Sequence, residues 1–327
     1  MKIILDTMGG DKGPGEILKG AIEAIKELEV DIVLVGEEEV IKKELTKYDY
    51  RKNSIEIINA EESINNNEEP VLAIRRKKNS SMVLGLEALA KGQGDGFVST
   101  GSTGALLAGG LFIVKRIEGV ERAALASIFP TRKDFSFMLD IGANVDSKPE
   151  YLLQFATMGS IYSEKVLGIK SPTIGLANIG TEEGKGNALV RESYKLLKDS
   201  DLNFIGNVEV RDIPEGVVDI IVCDGFMGNT ILKLTEGMAM TMFSALKDVF
   251  TSSAKTKFGA LLLKSQLKAF KDNLDYREYG GAPLLGLKKP VVKAHGSSDY
   301  IAIKNAIKQI KNFSDNNVIG IIEENIK

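Results

Sequence analysis

The chain lacks most of the residues that staple a fold or ligate a metal. Of its 327 residues one is cysteine and one is histidine, which excludes an internal disulfide framework, a cysteine-rich zinc site and a multi-histidine metal centre. No apolar run approaches the roughly 20 residues that span a bilayer, and Met1-Lys2 lead straight into a strand-like segment with no apolar leader behind them. A cytoplasmic protein in a reducing compartment is expected, touching membranes only peripherally. A surplus of one charge sign is missing too: the net charge of -3 argues against a generic nucleic-acid binder, which carries a strong basic excess. Two nucleotide fingerprints are absent: no GxGxxG follows the first strand, and Lys185 stands between two glycines without P-loop spacing.

What is present is a 43% hydrophobic, 27% charged sequence able to bury a large core. Six times an apolar run stops at a cluster of Gly, Ser, Thr, Asn and Asp: at Asp6–Asp11, Ser99–Gly104, Asp140–Asn144, Asn178–Gly186, Asp224–Thr230 and His295–Ser298. Strand and helix signals alternate from the start, with strands expected near 2–6, 31–35, 55–58, 95–98, 123–128, 135–140, 172–177, 218–223 and 290–294, and helices near 15–28, 80–91, 103–116, 148–167 and 299–312. This is βαβ grammar and predicts an α/β fold with a mostly parallel, Rossmann-like sheet flanked by helices. In such a sheet all six loops fall on one edge, beside helix N-termini, which is the layout of a cleft for an anionic ligand. Residues 61–79 read as a long rim loop, and 227–271 as a long helical hairpin broken near Thr251-Ser252-Ser253. The whole chain, 1–327, reads as a single α/β catalytic unit with two lobes around a cleft.

Glycine leaves room for a backbone N–H to reach an oxyanion, so Gly9, Gly10, Gly101, Gly104, Gly180 and Gly228, with Asp6, Ser99, Ser102, Thr103, Asn144, Asn178 and Ser297, are candidates for binding phosphate or substrate. Turn and cap chemistry is the competing reading for any one of these loops. Lys185, His295, Asn229 and Asp224 form the catalytic candidates: a lysine between glycines for an oxyanion, the lone histidine at a strand end, and two groups at the start of a helix. Asp6, Asp11, Asp140, Asp146 and Asp224, on or near strand ends, offer oxygen ligands for a divalent cation, but helix capping is the favoured role in the absence of any metal-loop spacing, and Cys223 reads as a buried inert thiol. Lys257, Lys264, Lys268 and Lys271 fall on one helical stripe, with Phe258, Leu261, Leu262, Leu263, Leu267 and Phe270 around the rest. That surface needs a cover: the core, a second subunit or a membrane.

Taken together, Asp6-Thr7-Met8-Gly9-Gly10-Asp11, Glu69-Pro70 through Ser80-Ser81-Met82, Thr103-Gly104-Ala105, Asp140-Ile141-Gly142-Ala143-Asn144, Lys185-Gly186-Asn187, Gly206-Asn207-Val208-Glu209, Cys223-Asp224-Gly225-Phe226 and Gly280–Gly286 leading to His295-Gly296-Ser297-Ser298 resemble the phosphate acyltransferase family of bacterial phospholipid synthesis. Ser102 stands where that family usually has Asn, and Val210 where it usually has Gly. The resemblance implies conversion of fatty acyl carrier protein thioesters and inorganic phosphate into acyl phosphate and free carrier, without metal or organic cofactor. It also implies a homodimer, peripheral membrane contact, and a fold similar to phosphotransacetylases and isopropylmalate dehydrogenases. The basic run with Arg75, Lys77 and Lys78 is then a candidate dock for the acidic carrier. Rival readings are a short-chain acyl-CoA phosphotransacylase, a metal- and NAD-dependent dehydrogenase, and a non-enzymatic scaffold that binds the acyl carrier or a membrane.

Overall fold

The computed structural model describes residues 1–267 and 280–326. Eleven strands form one mixed sheet: β1 (Lys2–Asp6), β2 (Asp31–Gly36), β3 (Ile55–Asn59), β4 (Gly96–Ser99), β5 (Ala124–Pro130), β6 (Phe135–Leu139), β7 (Ile174–Asn178), β8 (Phe204–Glu209), β9 (Ile220–Val222), β10 (Ala282–Leu285) and β11 (Val291–Lys293). Their order is β3-β2-β1-β4-β11-β10-β5-β6-β9-β7-β8. The first five run parallel; β10 is antiparallel to both β11 and β5, and β5 to β6, after which β6, β9, β7 and β8 run parallel again.

Three antiparallel steps reverse the sense of the second half. The six loops therefore do not share one edge. Those after β1, β4 and β11 lie at one edge, and those after β6, β7 and β9 at the opposite one. The reason is local: Phe135 follows Pro130 after a tight turn, so β5 and β6 form a hairpin rather than a crossover unit, pairing Ala126 with Leu139 and Pro130 with Phe135.

Helices cover both faces. α1 (Pro14–Leu28) starts with Pro at its first turn and turns Ile17, Leu18, Ala21, Ile22 and Ile25 inward. It packs on Tyr300–Asp315, which buries Ala302, Ile303, Ala306, Ile307 and Ile310; a Cβ on Gly20 would lie 2.7 Å from that of Ile303, so glycine sets this close approach. Together they seal one face of the first half in a core with Ile3, Leu5 and Leu34. The matching face of the second half is closed by α6 (Pro149–Lys165) and its neighbours over Phe137, Phe155 and Tyr162, the last stacked on Phe137 at 4.8 Å.

Two stretches depart from the reading of the sequence. Residues 61–79, expected as loop, contain α3 (Pro70–Arg76), which Glu69 opens by accepting from the Leu72 N–H at 2.6 Å. Its polar flanks hide a single short amphipathic turn. β10, which contains Pro283, is not among the expected strands, yet it joins the two halves by pairing first with β11 and then with β5. α8 (Gly225–Thr251) runs 27 residues from the end of β9. α9 (Ala254–Leu262) follows after a capping box made by Ser253 and Thr256. Among the described residues no helix is long and apolar enough to cross a membrane.

Candidate functional site

At the end of β1 the Asp6 carboxylate accepts from Ser99 Oγ at 2.7 Å and from the Met8 N–H at 3.1 Å, and Ser99 Oγ in turn accepts from the Gly101 N–H at 3.0 Å. Gly9 lies so close to this turn that a Cβ on it would stand 2.5 Å from Gly101 N, and one on Gly10 would stand 2.9 Å from Thr100 Oγ1. The Asp11 N–H donates to the Gly296 carbonyl at 2.9 Å, tying the third loop to the first. Asp6, Gly9, Gly10, Ser99, Gly101 and His295 are thus gathered in one set of loops. Ser102 caps α5 (Thr103–Gly109) by accepting from the Ala105 N–H at 3.4 Å, so the serine found in place of the family's usual Asn still fills a cap. Gly104 packs on Pro70, with 2.7 Å left for a Cβ.

His295 Nδ1 accepts from the Ser297 N–H at 3.2 Å and lies 2.8 Å from Ser297 Oγ. A nitrogen that accepts leaves the ring proton on Nε2, which makes the neutral imidazole a donor. Burial, then the neighbouring Lys293, holds its pKa below the ordinary value. The ring is therefore neutral at pH 7, suited to hydrogen-bonding an oxyanion rather than to neutralising it.

Sequence reasoning passed over Lys293, at the end of β11. Its Nζ donates to the Thr100 carbonyl at 3.2 Å and to the Ala294 carbonyl. Burial draws its pKa from 10.5 down to about 8, against the opposing charges of Asp11 and Asp6. The available signal was a lysine closing the apolar run Val291-Val292 of a strand with neighbours on both sides. Lys233 and Glu236, one face of α8, were missed for a different reason: only the fold carries that helix to His295, whose titration both charges influence. Asn229 stands one turn earlier on the same face.

The opposite edge is built around Asp140. Its carboxylate accepts from the N–H groups of Leu125 (3.0 Å), Gly142 (3.3 Å), Ala143 (3.0 Å) and Asn144 (2.6 Å) and from Asn144 Nδ2 (2.9 Å). Burial pushes its pKa up while these donors pull it back. Asp224 caps α8, accepting from the Met227 N–H at 2.9 Å. Gly228 permits the helix to approach, since a Cβ there would lie 2.0 Å from the Asp140 carbonyl oxygen, and Asn229 sits against Gly142. Cys223 donates to the Asp140 carbonyl at 3.4 Å, and burial raises its pKa well above that of a free thiol, matching the inert reading.

Asn178, Gly180 and Lys185 occupy a further loop, tied down by Asn178 Nδ2 to the Lys185 carbonyl (3.2 Å) and Asn207 Nδ2 to the Glu182 carbonyl (2.9 Å), with Lys185 itself exposed. β9 separates this loop's strand from β6. On the rim, Lys77 is held by Glu68 at 2.7 Å, while Arg75 lies over Phe112 and Lys78 reaches the Ile74 carbonyl. Phe258, Leu261 and Leu262 on α9 are 65%, 64% and 65% exposed, as is the α8 face carrying Leu234, Met238 and Met242. Lys264 is exposed beyond them; Lys268, Phe270 and Lys271 lie outside the described residues.

Residues 1–320 match the family model described as "Fatty acid synthesis protein". The chain is 54% identical over 326 residues to a phosphate acyltransferase of Alkaliphilus oremlandii (strain OhILAs), covering 100% of this chain and 97% of the relative. It is 54% identical over 327 residues to that of Clostridium botulinum (strain Loch Maree / Type A3), covering 100% and 98%. In fold it is similar to a phosphotransacetylase from Streptococcus pyogenes, with a TM-score of 0.63 at 20% identity over 96% and 94% of the two chains. A branched-chain phosphotransacylase from Enterococcus faecalis V583 gives 0.57 at 14% over 95% and 98%.

Proposed function

We propose, since this chain belongs to the phosphate acyltransferase family, that it transfers a fatty acyl group from the thioester of acyl carrier protein to inorganic phosphate. What carries this reading is 54% identity to phosphate acyltransferases along the whole chain. A phosphate oxygen attacks the thioester carbonyl carbon, the carbonyl becomes a tetrahedral oxyanion, and the C–S bond breaks. Acyl phosphate and the carrier thiolate, which takes a proton, are the products. Phosphate is a ready nucleophile and a thiolate a fair leaving group, so the protein's task is positioning and oxyanion stabilisation.

In this reading the loops carrying Asp6–Gly10, Ser99–Gly104 and Ser297 cradle phosphate. The Nε2–H of His295 and the amide of Asn229 face the developing oxyanion across the cleft spanned by α8, and Asp224 acts through its cap to hold Asn229 in place. Lys185, with Asn178 and Gly180, serves the opposite edge, where the thioester arm enters, while Asn144 and Gly228 shape that edge by holding Asp140 and α8 in place. Arg75 and Lys78, exposed on the rim, with Lys77 beside them, meet the acidic carrier. The exposed apolar faces of α8 and α9, Phe258, Leu261 and Leu262 among them, with Lys264 exposed just beyond, are the proposed contacts with a second copy and with a lipid surface; light scattering and vesicle sedimentation test these separately.

The deciding experiment follows free thiol released from palmitoyl carrier protein, with and without phosphate and with EDTA throughout. Phosphate-dependent release and a hydroxylamine-reactive product are expected; no release returns the chain to the metal-dependent or scaffold readings, and equal turnover of short acyl-CoA thioesters to the phosphotransacylase reading. Wild-type turnover in Lys185→Ala would remove that residue from the scheme.

A further inference from the structure

We propose that Lys293 is the cation of the phosphate subsite, holding the dianion together with the hydroxyls of Thr100 and Ser298. This rests on the acyl-to-phosphate reading and assigns where its phosphate sits.

Three observations carry the assignment. Lys293 opposes Ser99 in the β11–β4 register and Ala282 in β10, so its ammonium emerges where three of the loops meet. Its hydrogen bonds go to two backbone carbonyls, Thr100 and Ala294, rather than to either nearby aspartate. An ammonium has three donors, and two carbonyls fix its direction without cancelling its charge. The Asp6 carboxylate is already engaged by Ser99 and Met8, and that of Asp11 lies against Gly296, 2.6 Å from where a Cβ would stand.

The second observation is independent of the lysine. Thr100 and Ser298 are 4% and 5% exposed, yet Thr100 Oγ1 and Ser298 Oγ have no hydrogen-bond partner. Thr100 Oγ1 lies over Gly10, on the loop that Asp11 ties to Gly296. Buried hydroxyls without partners are costly, and an oxyanion that accepts from them removes the cost. The third is the charge balance. Asp6 on β1, Asp11 beyond it, Lys233 on α8 and His295 on the same strand end face Lys293, with Glu236 of α8 bearing on His295. Two aspartates offset two lysines, so the dianion is selected by oriented donors rather than by net charge.

Because burial leaves Lys293 with a pKa of about 8, phosphate binding should draw a proton onto it in mildly alkaline solution. The test compares wild-type protein with Lys293→Met. The variant should raise the KM for inorganic phosphate about tenfold or more while leaving the KM for palmitoyl carrier protein within about twofold, and it should not lower the melting temperature, since it removes a buried charge. An unchanged phosphate KM in the folded variant overturns the assignment. Should the variant fail to fold, calorimetry of phosphate binding to wild-type protein decides. Affinity should fall about tenfold per pH unit above pH 8, with proton uptake visible as a dependence on buffer ionisation heat. Inorganic phosphate is already a dianion there, so the proton goes to the protein; flat affinity without uptake overturns the proposal. A wild-type protein that neither binds phosphate nor releases thiol in response to it fails the acyl-transfer reading too. One that does both while Lys293→Met behaves identically fails only the lysine assignment.

Discussion

The loops after β1, β4 and β11 and those after β6 and β9 arise from the same kind of sequence, an apolar strand running into Asp, Gly, Ser, Thr and Asn, but the two sets are finished differently. Around Asp140 the N–H groups of Leu125, Ala143 and Asn144 all donate to the carboxylate, Asp224 is used as a cap, and Gly228 lets α8 close down on the Asp140 carbonyl. Around Lys293 the hydroxyls of Thr100 and Ser298 remain without partners and a cation is held by carbonyls. The first is a finished structural knot; the second sets free hydroxyls beside a buried cation, an arrangement an anion can complete. Substitutions at the first should cost stability, and at the second should change binding.

The largest effect is expected at Asp140. Replacing it with alanine strands the N–H groups of Leu125, Ala143 and Asn144, at a cost on the order of 3–5 kcal/mol, read as a fall in urea midpoint with unchanged slope. A loss below about 1 kcal/mol would break the contrast between the two edges. Next comes a paired test along α8. A Cβ on Gly228 would meet the Asp140 carbonyl oxygen at 2.0 Å, whereas one on Gly237 meets nothing within 4 Å. Gly228→Ala should therefore destabilise by about 1–3 kcal/mol, while Gly237→Ala should stabilise by about 0.5–1 kcal/mol.

A smaller effect separates the edges by pH. Lys293 has a pKa of about 8 when folded and 10.5 as an unperturbed lysine, so between those values the unfolded chain binds more protons. Stability contributed by this group therefore rises with pH from about 8 to about 10, by on the order of 1–3 kcal/mol. Denaturant melts of wild type and Lys293→Met at pH 7.5, 8.5 and 9.5 should show the wild type alone gaining across that window relative to the variant.

The strands and helices were legible because each half of the sheet alternates with periodic helices such as Ile17-Leu18-Ala21-Ile22-Ile25. Legible too were the groups that end strands, His295 and the Asp6–Gly10 turn among them. What the sequence could not show was strand direction. The turn between Pro130 and Phe135 looks like any other loop, yet making β5 and β6 a hairpin sends half the candidate loops to the far edge. Pro283 hid β10 for the same local reason, since a proline argues against a strand until its neighbours are known. Lys293 was hidden by its ordinary type: a lysine is informative only once it is seen to be buried.

The finest distinction between the two edges rests on one hydroxyl. Thr100→Val keeps the shape of the side chain and removes the unpartnered Oγ1 beneath Gly10, so a purely structural role predicts stability within about 0.5 kcal/mol of wild type, or slightly above it. If that oxygen donates to phosphate, the same variant should raise the phosphate KM by about tenfold or more, the worth of one hydrogen bond to a charged group, with the carrier-protein KM unmoved. Removing a satisfied hydroxyl such as Thr173 Oγ1, which donates to Asp219 at 2.6 Å, should do the reverse. Thr173→Val should lower stability by about 1 kcal/mol and leave phosphate binding alone, because there the partner is already part of the protein.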